Sequence, residues 1–200
     1  MRSDLLVRSA TPRDAPAIHR IIDACAADGT VLPRDQEDIT QAIPSFVVGV
    51  VRGEVVGCAA LVTCGPSLAE IRSVAVSPAG RGTGVGAAII SHLISEAHFL
   101  RFDRLFLLTR IPEFFRRLGF RVVDPDALPD SFLSDLVRCQ KRSLFNKFVM
   151  TRSLVNGPID ALGPGFAGAS GDSSVPAYPS GPDPVRIETV PAPVLVGAAQ

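Results

Sequence analysis

Residues 69–86 read AEIRSVAVSPAGRGTGVG and decide the fold class of this chain. The β-branched run from Ile71 to Val76 predicts a strand, and Pro78 ends it because proline cannot donate a hydrogen bond to a sheet. From Val85 onward apolar residues recur every three or four positions, which predicts a helix. The segment is therefore a strand that passes through a glycine-rich turn into a helix.

The glycine-rich turn is typical of an anion-binding site. Gly82, Gly84 and Gly86 let the backbone turn sharply and approach a ligand closely. A helix N-terminus favours a phosphate, because its N–H groups are unpaired and the helix dipole is positive there. The spacing is not G-x-G-x-x-G, and no G-K-S/T follows, so neither a dinucleotide fold nor a P-loop is predicted. Taken alone, the glycines also fit a tight turn that binds nothing.

The wider string resembles the pyrophosphate-binding motif of the GNAT superfamily of acetyl-CoA-dependent N-acetyltransferases. That motif, R/Q-x-x-G-x-G/A, is matched by RGTGVG at residues 81–86, and the strand before it ends VAVSP, like the family's L-A-V-x-P. The resemblance implies acetyl-CoA as co-substrate. It also implies that the cofactor-binding residues are Val74, Ala75 and Val76 along the pantetheine arm and Arg81, Gly82, Thr83, Gly84, Val85 and Gly86 at the pyrophosphate.

Periodic apolar segments on both sides of the motif predict the rest of the fold. Thr11, Pro12 and Asp14 form a helix start, and Gly119 ends a short helix that begins at Pro112. Further strands are predicted at residues 5–9, 46–51, 55–62, 105–109 and 149–154, the second and third joined by a hairpin at residues 52–54. This order is that of the GNAT fold, an α/β architecture with a mixed central sheet flanked by helices.

The chain divides near Leu154 into two predicted regions. Residues 1–154 form the acetyltransferase domain, and residues 155–200 form a tail rich in proline, glycine and alanine. Glycine and proline supply 12 of the 28 residues from 157 to 184, so this segment buries too little apolar surface to offset its ordering entropy and is expected to be disordered. An apolar piece follows at residues 185–196, and Pro191 and Pro193 exclude a central strand there.

The composition limits which binding partners and which cellular compartment are expected. Lysine plus arginine and aspartate plus glutamate both number 20, so no nucleic acid or anionic membrane is expected as a partner. Neither a transmembrane run nor a signal peptide is evident. The four cysteines, which lack metal-ligand spacing, predict reduced thiols, no metal site and a cytoplasmic location. A homodimer is left open. The cysteines are Cys25, Cys58, Cys64 and Cys139.

A second resemblance, to N-acetylglutamate synthases, bears on the acceptor. Residues 104–120, RLFLLTRIPEFFRRLGF, are similar to that family's F-x-L-T-x-x-x-E-F-F-x-x-x-G-F, and VLPR at 31–34, DPDALP at 124–129 and CQKRS at 139–143 resemble further family segments. The resemblance implies direct acetyl transfer in a ternary complex to the α-amino group of an amino acid, L-glutamate, as the first step of arginine synthesis. Another amine acceptor, such as an amino sugar or a peptide N-terminus, and a non-catalytic acetyl-CoA-binding module are the alternatives.

Side chains for the chemistry follow from this resemblance. Glu70 occupies the strand position where many GNAT enzymes carry the catalytic base, and strand alternation would place Glu70, Arg72, Val74 and Val76 on one face. Glu70 could instead pair with Arg72 as a local ion pair. The expected carboxylate anchors of the acceptor are Arg72, Lys141, Arg142 and Ser143. A solvated basic patch is the alternative for the last three, and Arg34 is a weaker further candidate.

The chain departs from the family at one chemical group. Many GNAT enzymes carry a tyrosine before the G-F pair that protonates the leaving thiolate, but Phe115 stands at that place here. The single tyrosine, Tyr178, lies in the predicted tail. Coenzyme A is therefore expected to leave as a thiolate or to be protonated by water.

Overall fold

The computed structural model describes residues 5–27, 29–124, 148–155 and 185–186. Within these residues the strands and helices follow the predicted order. The strands are β1 (Leu5–Ser9), β2 (Phe46–Val51), β3 (Glu54–Thr63), β4 (Leu68–Val76), β5 (Arg104–Thr109), β6 (Arg121–Val123), β7 (Phe148–Ser153) and β8 (Val185–Arg186). The helices are α1 (Ala15–Ala27), α2 (Gln36–Gln41), α3 (Val85–Phe99) and α4 (Pro112–Arg116).

The predicted helix start before α1 is confirmed, and hydrogen bonds to a buried carboxylate stabilise it. A 3₁₀ turn over Pro12–Asp14 precedes α1. The backbone N–H and the hydroxyl of Thr11 both donate to Asp14 Oδ2, at 2.7 and 2.8 Å. Arg8 on β1 donates to both oxygens of the same carboxylate, at 2.7 and 2.9 Å. These hydrogen bonds and the Arg8 charge lower the pKa of Asp14 to about 2, although burial opposes the shift.

The chain forms two compact units, and β4 contributes to both. The first unit contains Met1–Val62, Ile71–Glu96 and Gly181–Gln200. Its strand order is β8-β1-β2-β3-β4, and the pairs β8–β1, β1–β2 and β2–β3 are antiparallel. Its core joins α1 and α2 to one face of the sheet, with Ile18, Ile22 and Ile39 fully buried. Burial of these isoleucines removes apolar surface from water and stabilises the unit.

The second unit contains Thr63–Glu70 and Ala97–Ser180, with the strand order β4-β5-β7-β6. β4 pairs with β5 in parallel, whereas β5–β7 and β6–β7 are antiparallel. Leu68 and Phe106 form a buried cluster, and α4 adds Phe115 against Phe120. The parallel pair among antiparallel ones makes the sheet mixed, as the sequence predicts.

Two strands differ from the expected pattern. β6 has three residues, two of them exposed, so it lacks the alternation that identifies a strand in a sequence. β8 pairs with the outer edge of β1, which agrees with the exclusion of a central strand by the nearby prolines. The remaining residues of the predicted tail lie outside the described residues. No helix in the described part of the chain is long and apolar enough to cross a bilayer.

Candidate functional site

The turn that follows β4, residues 77–86, is here called the phosphate turn. It begins with a 3₁₀ segment at Pro78–Gly80 and ends in the first residues of α3. The Ser77 N–H donates to the carbonyl of Val56 on β3, at 2.8 Å, and the Gly80 N–H donates to Ser77, at 2.9 Å. These bonds attach the start of the turn to the neighbouring strand.

The glycines of the phosphate turn have the geometry that an anion site needs. Gly82 and Gly84 have φ values of 75° and 83°, which side-chain-bearing residues rarely adopt. A Cβ atom at either position would meet nothing within 4 Å, so the space beside the backbone is open. In the described part of the chain no acceptor is paired with the N–H of Gly82, Gly84 or Gly86. The turn therefore presents donors to open space at the N-terminus of α3, which fits a pyrophosphate.

Thr83 holds the phosphate turn in this conformation. Its hydroxyl donates to the carbonyl of Gly80, at 2.7 Å, and accepts a long hydrogen bond from the Val85 N–H, at 3.4 Å. The side chain thus satisfies one of the first N–H groups of α3 and leaves its neighbours for a ligand. The sequence motif identified the glycines, but this internal role of Thr83 was not expected.

β4 is distorted just before the phosphate turn. Ser73 has a φ of 54°, in the left-handed region, as at a β-bulge. The Ala75 side chain joins the cluster of α1 and α2, whereas Val76 lies beside Gly57 and Gly80. A left-handed residue interrupts the regular alternation of a strand, and one face for Glu70, Arg72, Val74 and Val76 stays a prediction. Local sequence gave no sign of this left-handed residue.

Two buried thiols support the distorted part of β4. Cys58 Sγ donates to the Ser73 carbonyl at 3.8 Å, and Cys25 Sγ donates to the Val76 carbonyl at 3.7 Å. Burial raises the pKa of the Cys58 thiol to about 12, so it stays protonated and unreactive. Among the described residues Cys25, Cys58 and Cys64 form no disulfide, and Cys139 lies outside those residues.

Glu70, the candidate base, lies on β4 in the second unit. Glu70 is only 2% exposed, and its register partner on β5 is Phe106. A carboxylate in such surroundings is rarely placed for packing alone, because burial disfavours its charged form. Its catalytic role stays a prediction.

Arg72, the candidate carboxylate anchor, has a second arginine as a neighbour in the first unit. Arg34 is half-buried, and its guanidinium carbon lies 5.7 Å from the centre of the Phe46 ring. Burial and the charge of Arg72 lower the pKa of Arg34, and Asp38 opposes the shift. Arg34 and Arg72 are here called the arginine pair. The sequence offered Arg34 only as a weak candidate, because nothing in VLPR shows that it lies near Arg72.

The position where the family resemblance predicts a tyrosine is a packed aromatic site. Phe115 is 3% exposed and makes edge-to-face contacts with Phe114 and Phe120, at centroid distances of 4.9 and 6.0 Å. This ring stabilises the second unit and offers no proton.

The other anchors proposed for the acceptor, Lys141, Arg142 and Ser143, lie outside the described residues. Of the anchors proposed for the acceptor, the described residues place Arg34 within electrostatic range of Arg72. Among the residues that are described, no group of three His, Cys, Asp or Glu side chains is placed to hold a metal ion.

Comparison with known proteins identifies the family. Residues 43–122 match the acetyltransferase (GNAT) domain family. An N-acetyltransferase of Chlorobaculum tepidum is 32% identical over 76% of this chain and 98% of its own length. An amino-acid acetyltransferase of Mycobacterium tuberculosis is 35% identical over 66% of this chain and 78% of its own length.

A solved structure agrees with these relatives. N-acetylglutamate synthase from Neisseria gonorrhoeae, complexed with coenzyme A and N-acetyl-glutamate, superposes with a TM-score of 0.67 at 30% identity. The match covers 78% of this chain but 36% of the synthase, so this chain corresponds to about a third of that protein. The fold and the turn motif agree with these similarities, and the chain belongs to the GNAT family and is an N-acetyltransferase.

Proposed function

We propose that this N-acetyltransferase transfers the acetyl group of acetyl-CoA to the α-amino group of L-glutamate in the cytoplasm, as the first step of arginine synthesis. A relative named amino-acid acetyltransferase and a similar synthase complexed with N-acetyl-glutamate support an amino-acid acceptor. The observation that carries the proposal is the similarity to a synthase complexed with N-acetyl-glutamate, and the partly buried cations of the arginine pair agree with an anionic acceptor.

The arginine pair supports a carboxylate-bearing acceptor on electrostatic grounds. Burial and the charge of Arg72 both disfavour the charged form of Arg34, and Asp38 offsets only part of this effect. A bound carboxylate would counter this effect and could accept two parallel hydrogen bonds from either guanidinium. The Phe46 ring beneath Arg34 would limit its motion and lower the entropy lost on binding. A second carboxylate, as in glutamate, would be bound by Lys141, Arg142 and Ser143.

Glu70 would supply the proton transfer that the reaction needs. The amine of an amino acid is mostly protonated at neutral pH and must lose a proton before it can attack. In the proposed step Glu70 accepts that proton, directly or through one water. The amine nitrogen then forms a bond to the thioester carbonyl carbon and loses its second proton to water, and the carbon–sulfur bond breaks as the tetrahedral intermediate collapses. Backbone N–H groups of Val74 to Val76 would stabilise its oxyanion.

The thiolate of coenzyme A would leave without a protein acid at the Phe115 position. A thiol has a pKa near 8.5, so its thiolate is a tolerable leaving group near neutral pH. Water would protonate it after departure. Phe115 lies among rings, and its replacement of the family tyrosine therefore does not argue against catalysis.

The phosphate turn would bind the pyrophosphate of acetyl-CoA. Its open N–H donors and the N-terminus of α3 favour negative charge, and Gly82 and Gly84 leave room for close approach. Arg81 would add a positive charge beside them. Backbone groups of Val74, Ala75 and Val76 would hold the pantetheine arm in the manner of an added strand.

An acceptor panel tests the proposal. Release of coenzyme A is followed with glutamate, glutamine, aspartate, an amino sugar and a peptide amine at matched concentrations. Glutamate should be preferred over glutamine by roughly ten- to thousandfold in kcat/KM, because glutamine leaves a cationic anchor without its partner. Equal rates with glutamate, glutamine and the amino sugar would instead favour a general amine acetyltransferase.

A further inference from the structure

Two glycines face each other on neighbouring strands, away from any turn. Gly49 on β2 and Gly57 on β3 are direct register partners. Neither has a positive φ, so the backbone conformation does not require glycine at either position. Glycine in a strand interior weakens the sheet and often marks a β-bulge or the close approach of another backbone element. The register between β2 and β3 shifts just after Gly49, but without a positive φ this shift does not require glycine. The pair therefore calls for a packing explanation.

The first turn of α3 lies directly on this glycine pair. A Cβ atom on Gly49 would come within 2.1 Å of Val85 Cγ2 and 3.1 Å of Ile89 Cδ1. A Cβ atom on Gly57 would lie 3.1 Å from the same Ile89 atom and 3.3 Å from the Ala75 carbonyl oxygen. The missing side chains are thus what allows the helix to approach these strands so closely.

A third glycine, Gly80, packs closely against β3 at the other end of the phosphate turn. A Cβ atom on Gly80 would come within 2.8 Å of the Val56 carbonyl oxygen and 3.0 Å of Val76 Cγ1. That carbonyl also accepts the hydrogen bond from the Ser77 N–H. Both ends of the turn therefore contact β2 or β3 through glycines, and the open N–H donors lie between them.

We propose that Gly49 and Gly57 are positioning residues for the cofactor, because their missing side chains set the depth at which α3 and the phosphate turn lie on the sheet. This inference rests on the proposed binding of the acetyl-CoA pyrophosphate by that turn. Val85 follows Gly84 directly, and a valine in a helix has essentially one χ1 rotamer. Its methyl group cannot rotate out of the way, so a side chain at position 49 shifts the helix start and the donors with it.

The experiment compares two acetyl donors in the Gly49→Ala variant. Acetyl-CoA carries the pyrophosphate. S-acetylpantetheine has the same thioester and pantetheine arm but lacks the pyrophosphate. The ratio of kcat/KM for acetyl-CoA to that for S-acetylpantetheine isolates the pyrophosphate contribution. We expect this ratio to fall by about 10- to 100-fold, because a displacement of about 1 Å costs on that order. The rate with S-acetylpantetheine should stay close to that of the unsubstituted protein.

A compensating substitution and a matched control separate positioning from general destabilisation. Val85→Ala removes the clashing methyl group and keeps the backbone N–H, so it should restore much of the ratio when combined with Gly49→Ala. Gly53 lies in the turn between β2 and β3 with a φ of 82° and nothing near its Cβ position. Gly53→Ala should therefore lower Tm and leave the ratio unchanged. Gly57→Ala, with its milder contacts, replaces Gly49→Ala if the latter does not fold.

Each outcome decides one question. An unchanged ratio in folded Gly49→Ala or Gly57→Ala overturns the positioning role, as does an equal fall in Gly53→Ala. A ratio near one in the unsubstituted protein instead contradicts the proposed function of the phosphate turn. A reduced ratio that Val85→Ala restores supports both.

Discussion

The phosphate turn and the arginine pair, both in the first unit, are built in different ways. The phosphate turn consists of consecutive residues and presents backbone N–H groups, so its design is visible in one short motif. The arginine pair joins Arg34, which precedes α2, to Arg72 within β4, and it presents side-chain charges. A ligand site made of consecutive backbone groups can be identified from a short stretch of sequence. A ligand site made of side chains from distant segments depends on how those segments pack. The same difference predicts how each region responds to substitution.

The largest effect is expected in the phosphate turn, from Gly84→Val. Gly84 has a φ of 83°, and its open side is where the ligand would lie, so a β-branched residue adds backbone strain and blocks close approach. Binding of acetyl-CoA should be abolished in a calorimetric titration. Gly53→Val is the matched control, since Gly53 has a φ of 82° and equally open surroundings away from the turn. An unchanged Kd in folded Gly84→Val would show that the turn does not bind the cofactor.

The next effect concerns proton transfer and belongs to neither region. Glu70→Gln keeps the size and hydrogen-bonding capacity of the side chain but removes the base. Turnover should fall by about 10²–10⁴-fold, with both substrates still bound. The deficit should shrink as pH rises, because free amine then becomes abundant. Exposed Glu54→Gln is the control, and near-normal turnover of Glu70→Gln at neutral pH would remove Glu70 from the mechanism.

A smaller effect is expected from the arginine pair. Arg34→Ala removes one cation and its contact with Phe46, and hydrogen bonds to charged groups contribute about 1.5–3 kcal/mol. KM for glutamate should therefore rise about 10- to 100-fold, with little change in kcat or in KM for acetyl-CoA. Arg20→Ala, an exposed position on α1, serves as the comparison. If the two variants have the same KM for glutamate, Arg34 does not contact the acceptor.

The smallest effect concerns stability and should leave both regions unaltered. Asp14→Asn weakens the hydrogen bonds from Arg8 and Thr11 at the start of α1, and loss of such a cap costs about 0.5–2 kcal/mol. The pKa of Asp14 is lowered to about 2, so its contribution is present above about pH 4 and is lost as pH falls toward 2. Urea unfolding at several pH values should show the two proteins converging near pH 2. A constant difference over this window would contradict the assignment.

Most of the fold could be predicted because its elements carry their own signals. Pro12 and Pro112 mark helix starts, Gly119 with a φ of 82° ends the segment after α4, and Arg52–Gly53 forms the β2–β3 turn. β6 could not be predicted, because three mostly exposed residues carry no alternation. The left-handed backbone at Ser73 could not be predicted either, since nothing about a serine among valines requires it.

The sequence by itself determined the GNAT family and the place of the phosphate turn, because glycine conformations and helix starts are local properties of consecutive residues. Only the tertiary structure decided that Arg34 lies within electrostatic range of Arg72, that Ser73 adopts a left-handed backbone within β4, and that Gly49 and Gly57 lie beneath α3. These features arise where segments distant in sequence pack at close range. Their causes are charge, burial and steric fit between neighbours, and no single stretch of sequence contains both partners.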